Sequence, residues 1–269
     1  MASLDVGGVR LHYELSAAAG PPLVLVHGSW VDHTDWAPVA ADLARDFQVL
    51  TYDRRGHSLS DRPAGQGSAD EDAADLAALI EGLGLAPAHV AGNSFGAAIS
   101  LRLASRRPSL FRSLNVHEPP LFGLLAAHPE TREMAAAVAA AVGRVVERLV
   151  RGEMAAAAER FVDDVALGPG AWAGLPESLR AVLVNNAPTF LDETRDPEAL
   201  MLDVAALGAF DRPLLLTGGS ESPPPFAPVL DALARALPQA RRHTFDGAGH
   251  LPHQSHPAAY AAQVRALCA

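Results

Sequence analysis

The chain has 269 residues, 49% of them hydrophobic and 19% charged, with a formal net charge of −10 at pH 7. These values predict one large globular domain with an inserted subdomain, and the negative charge argues against a nucleic-acid partner, whose phosphates need clustered cations. Every basic residue is an arginine, which excludes lysine-based chemistry, and the single cysteine, Cys268, excludes an internal disulfide.

Membrane segments are not expected. No apolar run approaches the ~20 residues of a membrane helix, and the N-terminal residues lack the basic and apolar regions of a signal peptide. We therefore expect no membrane partner and a cytoplasmic location. The sequence makes no prediction about oligomeric state.

The first third of the chain predicts a hairpin followed by buried strands and helices. Residues 6–15 alternate apolar and polar side chains around a Gly-Gly turn, which indicates a β-hairpin. The nearly continuous apolar runs 22–28 and 47–53 are typical of strands buried on both faces. Helical spacing is present at 36–45 between them and at 69–83 after them.

The alternation of strands and helices then continues to residue 117. We expect a strand over 89–92, a helix over 95–106 and a strand over 112–117. Strands that alternate with helices at this spacing predict a doubly wound, mostly parallel sheet.

The middle of the chain has helical patterns and no convincing strand, which predicts an inserted helical cap over residues 119–207 between core segments 1–118 and 208–269. Within the cap we expect helices over 131–151, 154–167, 178–185 and 197–207. Beyond it we expect strands over 213–218 and 242–245, and helices over 225–237 and 257–267.

The segment Gly92-Asn93-Ser94-Phe95-Gly96 provides a candidate nucleophile. A serine on a tight strand-to-helix turn exposes its hydroxyl, and small neighbours are needed because other side chains would collide with the strand and the helix. The alternative is that Ser94 only caps the helix.

A serine hydroxyl needs a base, an acid that orients the base, and donors for the oxyanion. His250 is the candidate base, because its glycine-rich loop directly follows the last predicted strand. At that position it would be presented at the carboxyl edge of the sheet.

Four motifs in order resemble the α/β-hydrolase superfamily: His27-Gly28-Ser29-Trp30, the segment from Tyr52 to Ser58, Gly92 to Gly96, and Gly247 to His250. The resemblance implies that Ser94 is the nucleophile and His250 the general base. It also implies an oxyanion hole formed by the backbone N–H groups of Ser29 and Phe95, with Trp30 as the alternative to Ser29. We interpret Asp53-Arg54-Arg55-Gly56 as scaffold.

The acid departs from the commonest pattern of this superfamily. Most members carry an aspartate shortly after the strand equivalent to 213–218, but here Gly218-Gly219-Ser220-Glu221-Ser222 contains none. Glu118, which follows the strand 112–117 and precedes two prolines, resembles the glutamate of zearalenone lactonases. We therefore favour Glu118 as the acid, with Glu221 as the alternative; Glu118 could instead satisfy cap backbone or pair with an arginine.

A substrate pocket is expected between core and cap, lined by Trp30, Leu121, Phe122, Trp172 and Phe190. The string His250, His253, His256 resembles a metal-binding pattern, but its spacing through Pro252 does not place the three on one helical face. We predict no metal and no cofactor.

These features predict a serine hydrolase that cleaves a small apolar carboxylic ester or lactone. Because the segment Gly92 to Gly96 around Ser94 also resembles that of meta-cleavage-product hydrolases, hydrolysis of a carbon–carbon bond is the enzymic alternative. A ligand-binding homologue that has lost turnover is the non-enzymic alternative. The identity of the substrate is not readable from the sequence.

Overall fold

A computed structural model describes residues 2–126 and 128–269. These residues form an eight-stranded sheet in the order β1-β2-β4-β3-β5-β6-β7-β8. The strands are β1 (Ala2–Val6), β2 (Val9–Leu15), β3 (Pro22–Val26), β4 (Gln48–Tyr52), β5 (Ala88–Asn93), β6 (Phe111–His117), β7 (Leu214–Gly219) and β8 (Arg241–Phe245). β1 and β2 pair antiparallel and β2 joins β4 antiparallel, whereas all other pairs are parallel.

The helices of the core cover both faces of this sheet. They are α1 (Ala37–Leu43), α2 (Ala69–Gly82), α3 (Phe95–Arg106), α11 (Phe226–Ala236), α12 (Pro252–Ser255) and α13 (Pro257–Cys268). One apolar cluster contains residues of α2, α3 and α11, and a second contains residues of α1 and α13. The predicted doubly wound, mostly parallel α/β fold is confirmed.

Only helices lie between β6 and β7 in the described part of the chain. They are α4 (Gly123–Ala126), α5 (Arg132–Val150), α6 (Met154–Phe161), α7 (Ala171–Gly174), α8 (Glu177–Asn186), α9 (Thr189–Arg195) and α10 (Val204–Leu207). We call this segment, residues 119–207, the cap. None of the helices described in residues 2–126 and 128–269 is both long and apolar enough to cross a membrane.

Several cap helices differ from the sequence prediction. The helix expected over 197–207 is present only as α10, and α4, α7 and α9 were not predicted. α10 begins at Val204 because the Asp203 side chain accepts from the backbone N–H of Ala206 and caps the helix there. α9 begins directly after Pro188. The helix expected over 154–167 changes to π-helical geometry at Val162–Ala166.

The cap is fastened to two loops of the core by Asn186, which is fully buried. Its Nδ2 group donates to the carbonyl oxygens of Trp30 and Val31, both at 3.2 Å, and its Oδ1 accepts from the backbone N–H of Ser58 at 2.8 Å. Trp30 and Ser58 have positive φ angles. One amide side chain therefore holds the cap against the loops that follow β3 and β4.

The turn between β5 and α3 requires glycine on both sides. A Cβ atom on Gly92 would lie 2.6 Å from the carbonyl oxygen of Gly96. A Cβ atom on Gly96 would overlap the carbonyl oxygens of Val26 and His27 at the end of β3. Because these neighbours are backbone atoms, they cannot move aside as a flexible side chain does.

The variant Gly96→Ala is therefore expected to lose at least about 2 kcal/mol of unfolding free energy, or to fail to fold, in urea denaturation. Gly143→Ala is the matched control, because Gly143 lies within α5 and a Cβ atom there meets nothing within 4 Å. That control is expected to be stabilised by about 0.5 to 1 kcal/mol, since alanine is the better helix former. Equal stability of Gly96→Ala and the wild type would contradict this reading of the turn.

Candidate active site

Ser94 lies at the turn between β5 and α3, with φ 52° and ψ −122°. This conformation is strained for a residue with a side chain and is found mainly where the surrounding structure enforces it. The backbone N–H of Ser94 donates to the carbonyl of His117 at 2.8 Å, which ties the turn to the end of β6. Its side chain makes no helix-capping hydrogen bond, so the structure gives no support to the capping alternative.

His250 lies in the loop after β8, and three contacts fix its position. Its carbonyl oxygen accepts from the side-chain amide of Asn93, the residue before Ser94, at 3.0 Å. Its ring stacks on Phe226 with 4.3 Å between centroids. Its Nδ1 atom lies 2.7 Å from Oε2 of Glu118. This hydrogen bond assigns the proton to Nδ1 and leaves Nε2 as the basic nitrogen.

Glu118 reaches His250 from the residue directly after β6. It has a positive φ of 45°, and its second oxygen, Oε1, accepts from the backbone N–H of Gly219 at 2.8 Å. The side chain is only 1% exposed. Burial alone would raise the pKa of this carboxyl group, but the neighbouring rings of His117 and His250 outweigh burial and hold the pKa well below its usual range. Glu118 is therefore a carboxylate at neutral pH.

Glu221, the alternative acid, lies elsewhere. It is exposed and borders a separate surface cavity formed with residues of α5 and the loop after α6. Its backbone N–H donates to the carbonyl of Ala248, but in the described part of the chain its carboxylate pairs with no histidine or arginine. Of the two candidates, only Glu118 contacts His250.

Ser29 and Phe95, the expected oxyanion donors, both line the same cavity as Ser94 and His250. Phe95 is the first residue of α3, where a backbone N–H has no intrahelical partner. Trp30, the alternative donor, is fully buried and stacks on Phe161 at 4.8 Å between centroids. It is not among the residues that line this cavity.

The cavity has a volume of about 360 Å³ and lies between the core and the cap. Its apolar wall includes Phe95, Pro120, Phe122, Phe161, Phe190 and Phe226. Phe122 and Phe190 therefore lie where the sequence analysis expected them. The other three residues do not line this cavity, so that part of the expectation was wrong. Trp30 and Leu121 are buried in apolar clusters, and Trp172 packs against the cluster formed by the cap helices.

Comparison with known proteins decides the family. A profile of the alpha/beta hydrolase family matches residues 23–263. The chain belongs to this family. The matched range contains Ser94, Glu118 and His250.

The individual proteins that resemble this hydrolase differ from it at most aligned positions. An enzyme that degrades N-acyl homoserine lactones superposes with a TM-score of 0.78 at 22% identity, covering 98% of this chain and 99% of that one. A thermophilic esterase from Thermogutta terrifontis superposes with a TM-score of 0.77 at 24% identity, covering 98% and 95%. An uncharacterised hydrolase of Bacillus subtilis (strain 168) is 39% identical over 126 residues, which is 46% of this chain and 46% of that relative. This sequence match therefore covers less than half of the length of the relative.

One polar group in the cavity of the hydrolase was not found by sequence analysis. Glu193, from α9 of the cap, lines the cavity and accepts from the hydroxyl of Ser29 at 2.5 Å. Its other oxygen accepts from Arg54 at 2.9 Å. Nothing in the sequence around Glu193 signals this role, because the contact depends on how the cap folds over the core. Burial raises the pKa of the Glu193 carboxyl group, with Arg54 opposing that effect.

Two groups of histidines resemble metal sites. His12, His33 and Asp53 lie close together, but both oxygens of Asp53 already accept hydrogen bonds, from the ring and backbone of His33 and from the backbone of Leu59. In the string His250, His253 and His256, each ring has a different partner: Glu118, Asp35 and Ser255. Because these side chains are engaged with separate partners, neither arrangement fits a shared metal ion.

Proposed function

We propose that the chain is a serine hydrolase that cleaves a carboxylic ester or lactone, with Ser94 as nucleophile, His250 as base and Glu118 as acid. The observation that carries the proposal is the hydrogen bond between His250 and Glu118, at 2.7 Å, beside a cavity that Ser94 also lines. A strained serine, an oriented imidazole and a buried carboxylate are the parts that acyl transfer needs.

In the first half of the proposed reaction, Oγ of Ser94 attacks the substrate carbonyl carbon while Nε2 of His250 takes the hydroxyl proton. The backbone N–H groups of Ser29 and Phe95 then stabilise the oxyanion of the tetrahedral intermediate. As the intermediate collapses, the bond to the alcohol oxygen breaks and His250 returns the proton to that oxygen. Glu118 stabilises the imidazolium that forms transiently and stays ionised throughout.

In the second half, water replaces the alcohol. His250 takes a proton from the water while the water oxygen attacks the acyl carbon on Ser94. As the second intermediate collapses, the bond between the acyl carbon and Oγ breaks, His250 returns the proton to Oγ, and the carboxylic acid leaves. In the described structure the Ser94 hydroxyl makes no hydrogen bond to His250. Such contacts often tighten only when substrate is bound.

The cavity favours an ester or lactone over a ring-fission dienoate. Its described lining contains the carboxylates of Glu193 and Asp196 but neither arginine nor lysine. A dienoate carries its own carboxylate, which needs a cationic partner in a buried site.

The proposal predicts hydrolysis of p-nitrophenyl esters of graded chain length or of a lactone panel that includes macrocycles, with a dienoate ring-fission product as comparison. The variant Ser94→Ala is expected to lose nearly all turnover, because it lacks the nucleophile. The rate that remains is expected to be about 10³- to 10⁴-fold above the reaction in water alone. Faster cleavage of the dienoate would favour the carbon–carbon alternative. Ligand binding without turnover of any substrate would favour the non-catalytic alternative.

The choice of acid is tested by a matched pair of variants. Glu118→Gln is expected to lower kcat by up to about 10⁴-fold, because the imidazole loses its orientation and the carboxylate that stabilises its charged form. Glu221→Gln makes the same chemical change at an exposed site outside the cavity and is expected to leave kcat within about twofold of the wild type. The reverse order of effects would sink the assignment of Glu118.

A further inference from the structure

Glu193 lies in the wall of the cavity, and its carboxylate accepts hydrogen bonds from Arg54 and Ser29. Only 8% of the surface of Glu193 is exposed. Asp196, the other carboxylate along the cavity, is only partly buried, so solvent reaches it. Glu193 is therefore the buried carboxylate of the cavity lining.

The charge around Glu193 does not balance. The guanidinium of Arg54 is shared between two buried carboxylates, lying 2.9 Å from an oxygen of Asp72 and 2.9 Å from an oxygen of Glu193. One positive charge against two negative charges leaves this buried group with one unit of excess negative charge when both acids are ionised. A hydrogen-bond donor or a cation brought into the cavity would reduce that excess.

Glu193 also has free acceptor capacity. An ionised carboxylate offers about four lone-pair sites, and the described contacts use one on each oxygen, from Arg54 and from Ser29. Glu193 lines a cavity whose wall is otherwise mostly aromatic and aliphatic. A substrate group that donates a hydrogen bond would find its partner here.

The position of Glu193 relates it to the scissile bond. It bonds to the side chain of Ser29, whose backbone N–H is a proposed oxyanion donor. Gly28, the residue before Ser29, is so near Ser94 that an added Cβ atom would lie 3.1 Å from the Ser94 Cβ atom. Ser29 thus connects Glu193 to the surroundings of the Ser94 side chain.

From these contacts we infer that Glu193 selects substrates with a hydrogen-bond donor, a hydroxyl or an N–H group, close to the scissile carbonyl on an otherwise apolar acyl group. The inference rests on the proposed ester or lactone hydrolysis and narrows its substrate class. It treats Glu193 as a specificity-determining residue and assigns it no part in bond breaking. The alternative is that Glu193 only joins the cap to Arg54.

The test compares kcat/KM for four p-nitrophenyl esters: hexanoate, 2-hydroxyhexanoate, 3-hydroxyhexanoate and 3-oxohexanoate. Each value is divided by the rate constant for hydroxide hydrolysis of the same ester, so that intrinsic reactivity cancels. The wild type is expected to prefer at least one hydroxy ester over hexanoate by about 10- to 100-fold, the range for a hydrogen bond to a charged group.

The variant Glu193→Gln keeps a carbonyl oxygen for Arg54 but replaces an acceptor with an N–H donor. It is expected to reduce the hydroxy preference to about threefold or less and to raise the relative rate for the 3-oxo ester, which only accepts. A role confined to cap attachment would change all four rates together and leave their ratios unchanged.

Asp192→Asn is the matched control. It makes the same acid-to-amide change in α9, but Asp192 contacts the backbone of Gly67 and does not line the cavity. Its four ratios are expected to equal those of the wild type.

The outcomes separate the two proposals. If wild-type enzyme hydrolyses the hexanoate ester but shows no hydroxy preference, the inference about Glu193 is overturned while ester hydrolysis stands, and this holds even if Glu193→Gln does not fold. If Glu193→Gln folds and keeps the preference, the inference is also overturned. If the wild type cleaves none of the esters and none of the lactones, both proposals fail.

Discussion

The hydrogen bond between Glu118 and His250 is the contact on which the proposed site depends, and it exists because of how the sheet is ordered. β5, β6 and β7 are adjacent and parallel, so their last residues lie side by side at one edge of the sheet. Ser94 follows β5, Glu118 follows β6, and Gly219 is the last residue of β7. In open α/β sheets this carboxyl edge is where ligands bind. Glu118 spans the gap from β6, with one oxygen on His250 and the other on the backbone of Gly219.

The two glycines at the end of β7 belong to the same arrangement. A Cβ atom on Gly218 would lie 3.2 Å from Oε1 of Glu118, and one on Gly219 would overlap the carbonyl oxygen of Ala248. The end of β7 therefore packs closely against the carboxylate of Glu118, which follows β6. In the proposed triad this carboxylate takes the place of an acid after β7.

A second network, centred on Arg54, connects the core to the cap. Arg54 is 2% exposed, binds Asp72 of α2 and Glu193 of α9, and lies over the ring of Phe95 at 4.7 Å. Removing one charged partner from such a buried ion-pair network leaves the other charge uncompensated, which is strongly unfavourable. Arg54 is thus more than part of a turn, because it sets the position of the cap carboxylate beside the candidate oxyanion hole.

The sequence was most informative where local pattern decides the structure. The helix 95–106 and the glycines around Ser94 follow from residue size and spacing, and α3 has those bounds. The order of motifs predicted the α/β-hydrolase fold, which is confirmed. The sequence also reduced the acid to Glu118 or Glu221, but the choice depends on the distance across strands that only the folded sheet specifies.

Prediction failed where tertiary contacts decide. The prediction of a helix over 197–207 was wrong for most of its length, because the carbonyl of Met201 accepts from Arg102 and the side chain of Asp203 caps α10. Trp30 and Trp172 were expected in the pocket because they are large and aromatic, yet both pack in the apolar cluster that the cap helices form. Glu193 had no local signal, because its partners Ser29 and Arg54 are more than 100 residues away along the chain.

The central claim is that His250 activates Ser94 as a nucleophile. Stoichiometric reaction with a fluorophosphonate, followed by peptide mapping in a mass spectrometer, tests it most directly. The account predicts one adduct, on the peptide that contains Ser94, and its loss or strong slowing in the variant His250→Ala. No adduct, an adduct on another residue, or undiminished labelling of His250→Ala would contradict the account.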